Sequence, residues 1–231
     1  MTYYAGIIPE MYIFGCMPFS WPDMPTILDF YYQYGGVDIL NEVHAEHNVT
    51  CLPEIRRDVL NVASTFPCDS PDDLKGKKIR VYAATAKIIE ALGGLPVTMA
   101  IADIYQGLAL GTVDGATIGI NHYDTQKLYE VAPHYTVSPS ILNSVGSFLI
   151  NNDSLNALPE DMQDIVLNSW RFHYLGGALM EKQLFYLAES VKEYGAETHT
   201  WSEADTAKVR ELAQKNIWPE YASASPRCAK K

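Results

Sequence analysis

The chain has 231 residues, 48% of them apolar and 19% charged, and a formal charge of −11. That is long enough to bury a substantial core as one large domain or two lobes. The acidic balance argues against nucleic acid or an anionic membrane as partner, because both favour concentrated Lys and Arg. No apolar run approaches the ~20 residues of a membrane span. Met1 is followed by Thr-Tyr-Tyr-Ala-Gly, without the basic start and apolar stretch of an export signal. The cysteines Cys16, Cys51, Cys68 and Cys228 are widely spaced, with no CxxC, and read as buried small hydrophobes. A Cys51–Cys68 bridge requires an oxidising compartment.

Residues 3–34 are rich in Tyr, Phe, Met and Pro, which predicts loops around short buried segments and a helix over Met24–Tyr34. Gly35-Gly36 ends that helix, and a second follows over Val37–His47. Short strands are expected at Val49–Leu52 and Asp58–Ser64, then an acidic turn, PDDL, at 71–74. From Lys77 the alternation is regular, with strands at 78–82, 96–99 and 113–118 and helices at 84–92 and 101–110. The helices stop at Gly93 and Gly111, residues suited to a left-handed terminus. Such spacing implies a parallel α/β unit with right-handed crossovers. A helix over Tyr123–Val131 and an apolar strand over Val145–Asn151 come next. Pro159–Tyr194 then reads as one helix about 50 Å long, with Gly176-Gly177 as a kink point. A strand at 197–201 precedes a last helix capped by Ser202 with Asp205 three residues on.

Within the α/β unit a lone arginine, Arg80, closes the first strand and faces the next helix. A permanent cation at the carboxyl end of a parallel strand is placed to hold a carboxylate.

Four blocks, DDLKGKKIRV, IADIYQGLALGTVDGA, KLYEVAPHYT and FLINNDSLNALPEDMQDIV, occur in an order and spacing that resembles the solute-binding proteins of TRAP transporters, the dicarboxylate-binding (DctP) type. The aromatic opening, GGVDILNEV and EYASASPRCAK look closest to the branch that takes 2-oxo acids and other small monocarboxylates. The resemblance implies a two-lobed α/β venus-flytrap fold, of the periplasmic-binding-protein type, with a long C-terminal helix crossing both lobes. It implies a periplasmic, noncatalytic receptor that passes a small organic carboxylate (a 2-oxo acid, hydroxy acid or dicarboxylate) to a membrane permease. On that pattern residues 1–57 and 138–168 form lobe I, 58–137 form lobe II, and 169–231 pack across both. The chain begins at the YYAGIIP block, so lobe I is expected to lack its first strands.

In this family the arginine of the KIRV-type strand pairs with the ligand carboxylate, which is Arg80 here. After the VDGA strand the 2-oxo-acid branch usually carries Glu-Trp, whereas this chain has Thr117-Ile118, and a later family glutamate falls near Asn143. Hydroxyl, alkyl and amide groups make a poorer cation site than carboxylates. The expectation is therefore direct binding with no cofactor and no bridging cation, Thr117 or Asn121 as hydrogen-bond partners and Ile118 as an apolar wall. Arg56 and Arg57 sit where relatives place another polar contact, and Tyr4, Phe19 and Tyr123 are candidate lining residues.

Enzyme readings have weaker support. His44 and His47, with Glu46 between them, lack HExxH spacing and read as a surface helix face. His122 with Asp124, and Ser144 or Ser147 with His173, supply hydrolase ingredients without a GxSxG elbow. A stand-alone carboxylate sensor would use the same cleft as a transport receptor.

Overall fold

A computed structural model describes residues 7–15, 17–21 and 23–227, with backbone alone at residues 24, 54–59, 83–84, 143–145 and 170–185. Helices α1 (Met11–Gly15) and α2 (Met24–Leu28) open it, and α2 runs on as a π-helical turn over Asp29–Gln33. Asp23 caps α2 by accepting from the Thr26 amide at 2.8 Å. Helix α3 spans Gly36–Ala45 and feeds strand β1 (Val49–Ser64). Then come β2 (Lys78–Val81), α4 (Ala83–Ala91), β3 (Leu95–Thr98), α5 (Ile104–Ala109), β4 (Gly115–Gly119) and α6 (Ile120–Thr125). Strands β5 (His134–Ser138) and β6 (Leu142–Asn151) precede α7 (Asn152–Asn156) and α8 (Glu160–Glu193). The described chain closes with β7 (Glu197–Thr200), α9 (Glu203–Asn216) and α10 (Trp218–Ser223).

The regular part folds as its spacing predicts. Strand β2 has parallel partners on both sides, with Arg80 opposite Val97 of β3 and Ala116 of β4. Gly93 and Gly111 end α4 and the α5 turn at φ of 79° and 69°. Ser202 caps α9, its hydroxyl accepting from the Asp205 amide at 3.0 Å.

The two short strands expected at 49–52 and 58–64 are instead one strand of 16 residues, β1. Its first part pairs antiparallel with β6, from Val49 opposite Asn151 to Leu60 opposite Leu142, and the ladder skips Ile55 and Arg56. From Leu60 onward β1 pairs with β4, and at Ala63–Ser64 with β5 as well. Pro53 survives inside β1 because, among the described residues, this half is flanked by β6 alone, so its missing N–H costs no ladder bond on the other side. The sheet order is β3-β2-β4-β1-β5-β7, with β6 branching from β1. Strand β5, short and set between Pro133 and Pro139, was not foreseen.

Helices cover both faces of this sheet. Val62, Ile79 and Val81 pack against Ile88 and Ile89 of α4 and against α9 and α10 through Val209 and Tyr221. On the reverse face Ala63, Ala116, Ile118 and Tyr135 meet Ile104 and Leu108 of α5, Tyr123 of α6 and Val191 of α8. A third cluster gathers Met11, Phe14, Ile27, Tyr31, Leu40 and Cys51 at the N-terminal end. The 34-residue α8, about 51 Å long, is unbroken at Gly176-Gly177 and packs on β1, α6, α7 and β7.

Cys51 and Cys68 are free thiols in different clusters, so no bridge joins them. Burial pushes them up to about 12 and about 11, respectively. Cys16 and Cys228 lie outside the described residues.

Candidate ligand-binding site

The parallel strands are aligned at their starts by one side chain. Asp114 accepts from the Lys78 amide at 2.8 Å through Oδ2 and donates its own amide to the Lys78 carbonyl at 2.7 Å. Close packing continues at Gly115, where a Cβ would stand 2.9 Å from the Ala63 carbonyl and 3.0 Å from Ile79 Cδ1.

Two residues further on, Arg80 turns its side chain toward the α5–α6 face, shared with its register partner Ala116 and with Ile118. It is only 2% exposed. Its Nε donates to the Met99 carbonyl at 2.9 Å and its Nη1 to the Thr117 carbonyl at 3.1 Å. The Tyr82 ring lies 5.8 Å from the guanidinium carbon. A buried permanent charge is costly unless compensated, and the two carbonyl dipoles supply part of that compensation while fixing the fork's direction. Arg80 near the end of β2, Met99 just beyond β3, Thr117 in β4 and Asn121 just beyond it all belong to the carboxyl ends of parallel strands. Ligands of α/β sheets are generally met at that edge.

The other expected site residues fall into distinct places. Thr117 sends its side chain to the opposite face, where its hydroxyl donates to the Arg80 carbonyl at 3.1 Å and lies 3.2 Å from Thr85 Oγ1. Its contribution to Arg80 is thus its carbonyl. Ile118 is on the Arg80 face and buried in the core. Asn121 is half-buried, and its side-chain amide has no hydrogen-bond partner among the described residues. Tyr123 is fully buried, its ring 4.7 Å from that of Tyr135 and its hydroxyl donating to the Ala132 carbonyl at 2.8 Å. Burial raises that phenol well above its ordinary range. Phe19 is buried in the cluster beneath β2.

Backbone at Arg56 falls where the β1–β6 ladder skips, and Asn143 stands opposite Val59. The side chains of Arg56, Arg57 and Asn143 lie outside the described residues, as does Tyr4. Ser144 and His173 of the hydrolase reading are likewise outside them. The surface reading of His44 is corrected: it is 2% exposed, and its Nδ1 pairs with the Leu40 carbonyl at 2.7 Å. A separate cavity of about 300 Å³ between Tyr31, Val37, Asp38, Pro53 and Leu167 includes none of the expected residues.

Sequence reasoning missed Thr85 and the Met99 carbonyl. The first has a local signal, since its hydroxyl also donates to the Tyr82 carbonyl one turn back at 3.1 Å. The second depends on β3 lying beside β2.

Residues 1–224 match the family model described as bacterial extracellular solute-binding protein, family 7 (DctP). Among curated proteins, the ectoine-binding periplasmic protein TeaA of Halomonas elongata is 29% identical over 170 residues, covering 70% of this chain and 48% of TeaA. The C4-dicarboxylate-binding periplasmic protein DctP of Rhodobacter capsulatus is 34% identical over 107 residues, 44% of this chain and 31% of the relative. The matches thus span half or less of these relatives' length. Two solved structures share the fold. A TRAP periplasmic solute-binding protein from Desulfovibrio salexigens with bound orotic acid superimposes with a TM-score of 0.86 at 21% identity, over 99% of this chain and 74% of that one. Ectoine-binding TeaA gives 0.85 at 23%, over 98% and 76%. The architecture is the two-lobed α/β fold of TRAP periplasmic binding proteins, and the chain belongs to the bacterial extracellular solute-binding protein family 7 (DctP).

Proposed function

We propose that this chain is the extracytoplasmic receptor of a TRAP transporter and captures a small organic acid through Arg80 for delivery to the membrane permease. One observation carries the reading: a guanidinium 2% exposed at the carboxyl ends of parallel strands, oriented by two backbone carbonyls. A guanidinium matches a carboxylate with two parallel hydrogen bonds, which fixes orientation as well as charge. Relatives of the same fold were solved with galacturonate, orotic acid, succinate and malonate. Those molecules differ in size and shape but share a carboxyl group, which is the part Arg80 would meet. Asn121, with an unengaged amide, is a second polar contact, Ile118 backs the guanidinium, and Thr117 and Tyr123 hold the frame. Arg56 and Asn143, on the β1–β6 ladder, complete the proposed set of contacts.

The lobe division at 57/58 and 137/138 is part of this proposal. It is supported by β1, whose pairing passes from β6 to β4 and β5 near Leu60. Residues 169–231 pack across both lobes, as Tyr221 stacking on Tyr12 at 4.4 Å supports.

The test is a calorimetric screen of mono- and dicarboxylates against the chain and Arg80→Ala. One acid should bind and be recovered unchanged, and the variant should lose about 2 kcal/mol or more, roughly 30-fold. Full affinity in Arg80→Ala, or steady product formation, overturns the reading.

A further inference from the structure

We propose that a divalent transition-metal ion of the zinc class binds at the β5–β7 edge, held by His134, Glu197 and His199. The two strands run parallel, with His134 opposite Glu197 and Thr136 opposite His199. That register brings three ligand atoms, one from each residue, within 4.8 Å of one another. His134 Nδ1 lies 3.0 Å from His199 Nε2 and 3.6 Å from a Glu197 oxygen. Tetrahedral zinc, with bonds of about 2.0–2.1 Å, sets its ligand atoms about 3.3 Å apart. Two edges of the triangle already match, and the third closes by rotation of Glu197, whose side chain is 69% exposed.

A fourth residue, Asp69, sits behind the first three. Its Oδ1 lies 2.7 Å from His199 Nδ1. A carboxylate there keeps the proton on Nδ1 and leaves the Nε2 lone pair aimed at the centre of the cluster. The same outer partner orients metal-bound histidines in many sites and raises their basicity. Both imidazoles are close to fully buried, at 12% and 8% exposure, so their positions are set by packing before any ion arrives. The two carboxylates of the cluster, Glu197 and Asp69, bring negative charge that a divalent cation neutralises. Nitrogen donors select an ion of the zinc type over magnesium or calcium. Three protein ligands leave one position for water. The bound ion joins β5, β7 and the segment after β1 that carries Asp69.

The probe is ZnCl2, titrated calorimetrically into the full chain after chelator treatment, with CoCl2 for the d–d spectrum. One ion per chain should bind, the melting temperature should rise with the logarithm of zinc concentration, and cobalt should show intense tetrahedral bands. Glu197→Gln, at an exposed position that tolerates change, and His134→Gln should abolish the one-to-one binding. Asp69→Asn should weaken it about 10- to 100-fold, and His122→Gln should leave it intact. Absence of saturable zinc binding, unchanged binding in Glu197→Gln and His134→Gln, or equal affinity for magnesium overturns the proposal.

Discussion

The parallel β2–β4 unit and the aromatic layer of α1–α3 are both buried, yet they are held by opposite means. In the first, the polar groups at the centre, Arg80, Thr85 and Thr117, are tied together through backbone carbonyls of residues 82–117 and of Arg80 itself, while helices from later in the chain cover the sheet faces. In the second, Phe14, Trp21, Phe30 and Tyr31 form a ring cluster that is closed by residues from the other end of the chain. Tyr221 stacks on Tyr12, the Trp218 indole donates to the Pro18 carbonyl at 2.9 Å, and Arg227 pairs with Glu46. Polar groups bonded to one another fix their own directions. A layer assembled from both chain ends suits cooperative stability.

The largest expected effect probes that second layer. Phe14→Ala should cost about 3–5 kcal/mol and lower a single calorimetric transition, since Phe14 is 2% exposed and enclosed by the ring cluster. Two resolved transitions would show that the layer melts apart from the sheet and break the comparison. In the sheet unit, Gly115→Ala should cost about 1–3 kcal/mol, because the added methyl meets the Ala63 carbonyl. Urea melts would measure it, and a neutral result would mean that β1 and β4 separate easily. Tyr123→Phe should cost about 1 kcal/mol by leaving the Ala132 carbonyl unpaired, with ligand affinity unchanged if Tyr123 serves only the frame.

The smallest effect depends on pH. Burial holds His44 below its usual 6.5, partly opposed by the Leu40 carbonyl. The unfolded chain therefore takes up a proton first as pH falls, so stability is intact above about 6.5 and declines below it. His44→Gln should flatten that slope in melts between pH 7.5 and 5.5, and an unchanged slope would assign it to other groups.

The same contrast explains what the sequence revealed. The glycine stops, the Ser202 cap and the apolar period of α8 each rest on local chemistry and are legible along a single stretch of chain. The continuity of β1 through Pro53 is not, because it depends on pairing with β6, about ninety residues away. The split between Thr117 and Ile118 was half legible. Alternation says adjacent strand residues face opposite ways, but only the pairing of Arg80 with Ala116 tells which of the two shares the guanidinium's side. Nor could spacing show that His134, His199 and Asp69 meet, since they come from three separate segments.

Arg80 is steadied by the carbonyls of Met99 and Thr117, not by their side chains. A carbonyl persists whatever residue bears it, so positions 99 and 117 can drift in identity without releasing the cation. Substitution at either position can thus reshape the surroundings of the guanidinium while its direction is inherited unchanged.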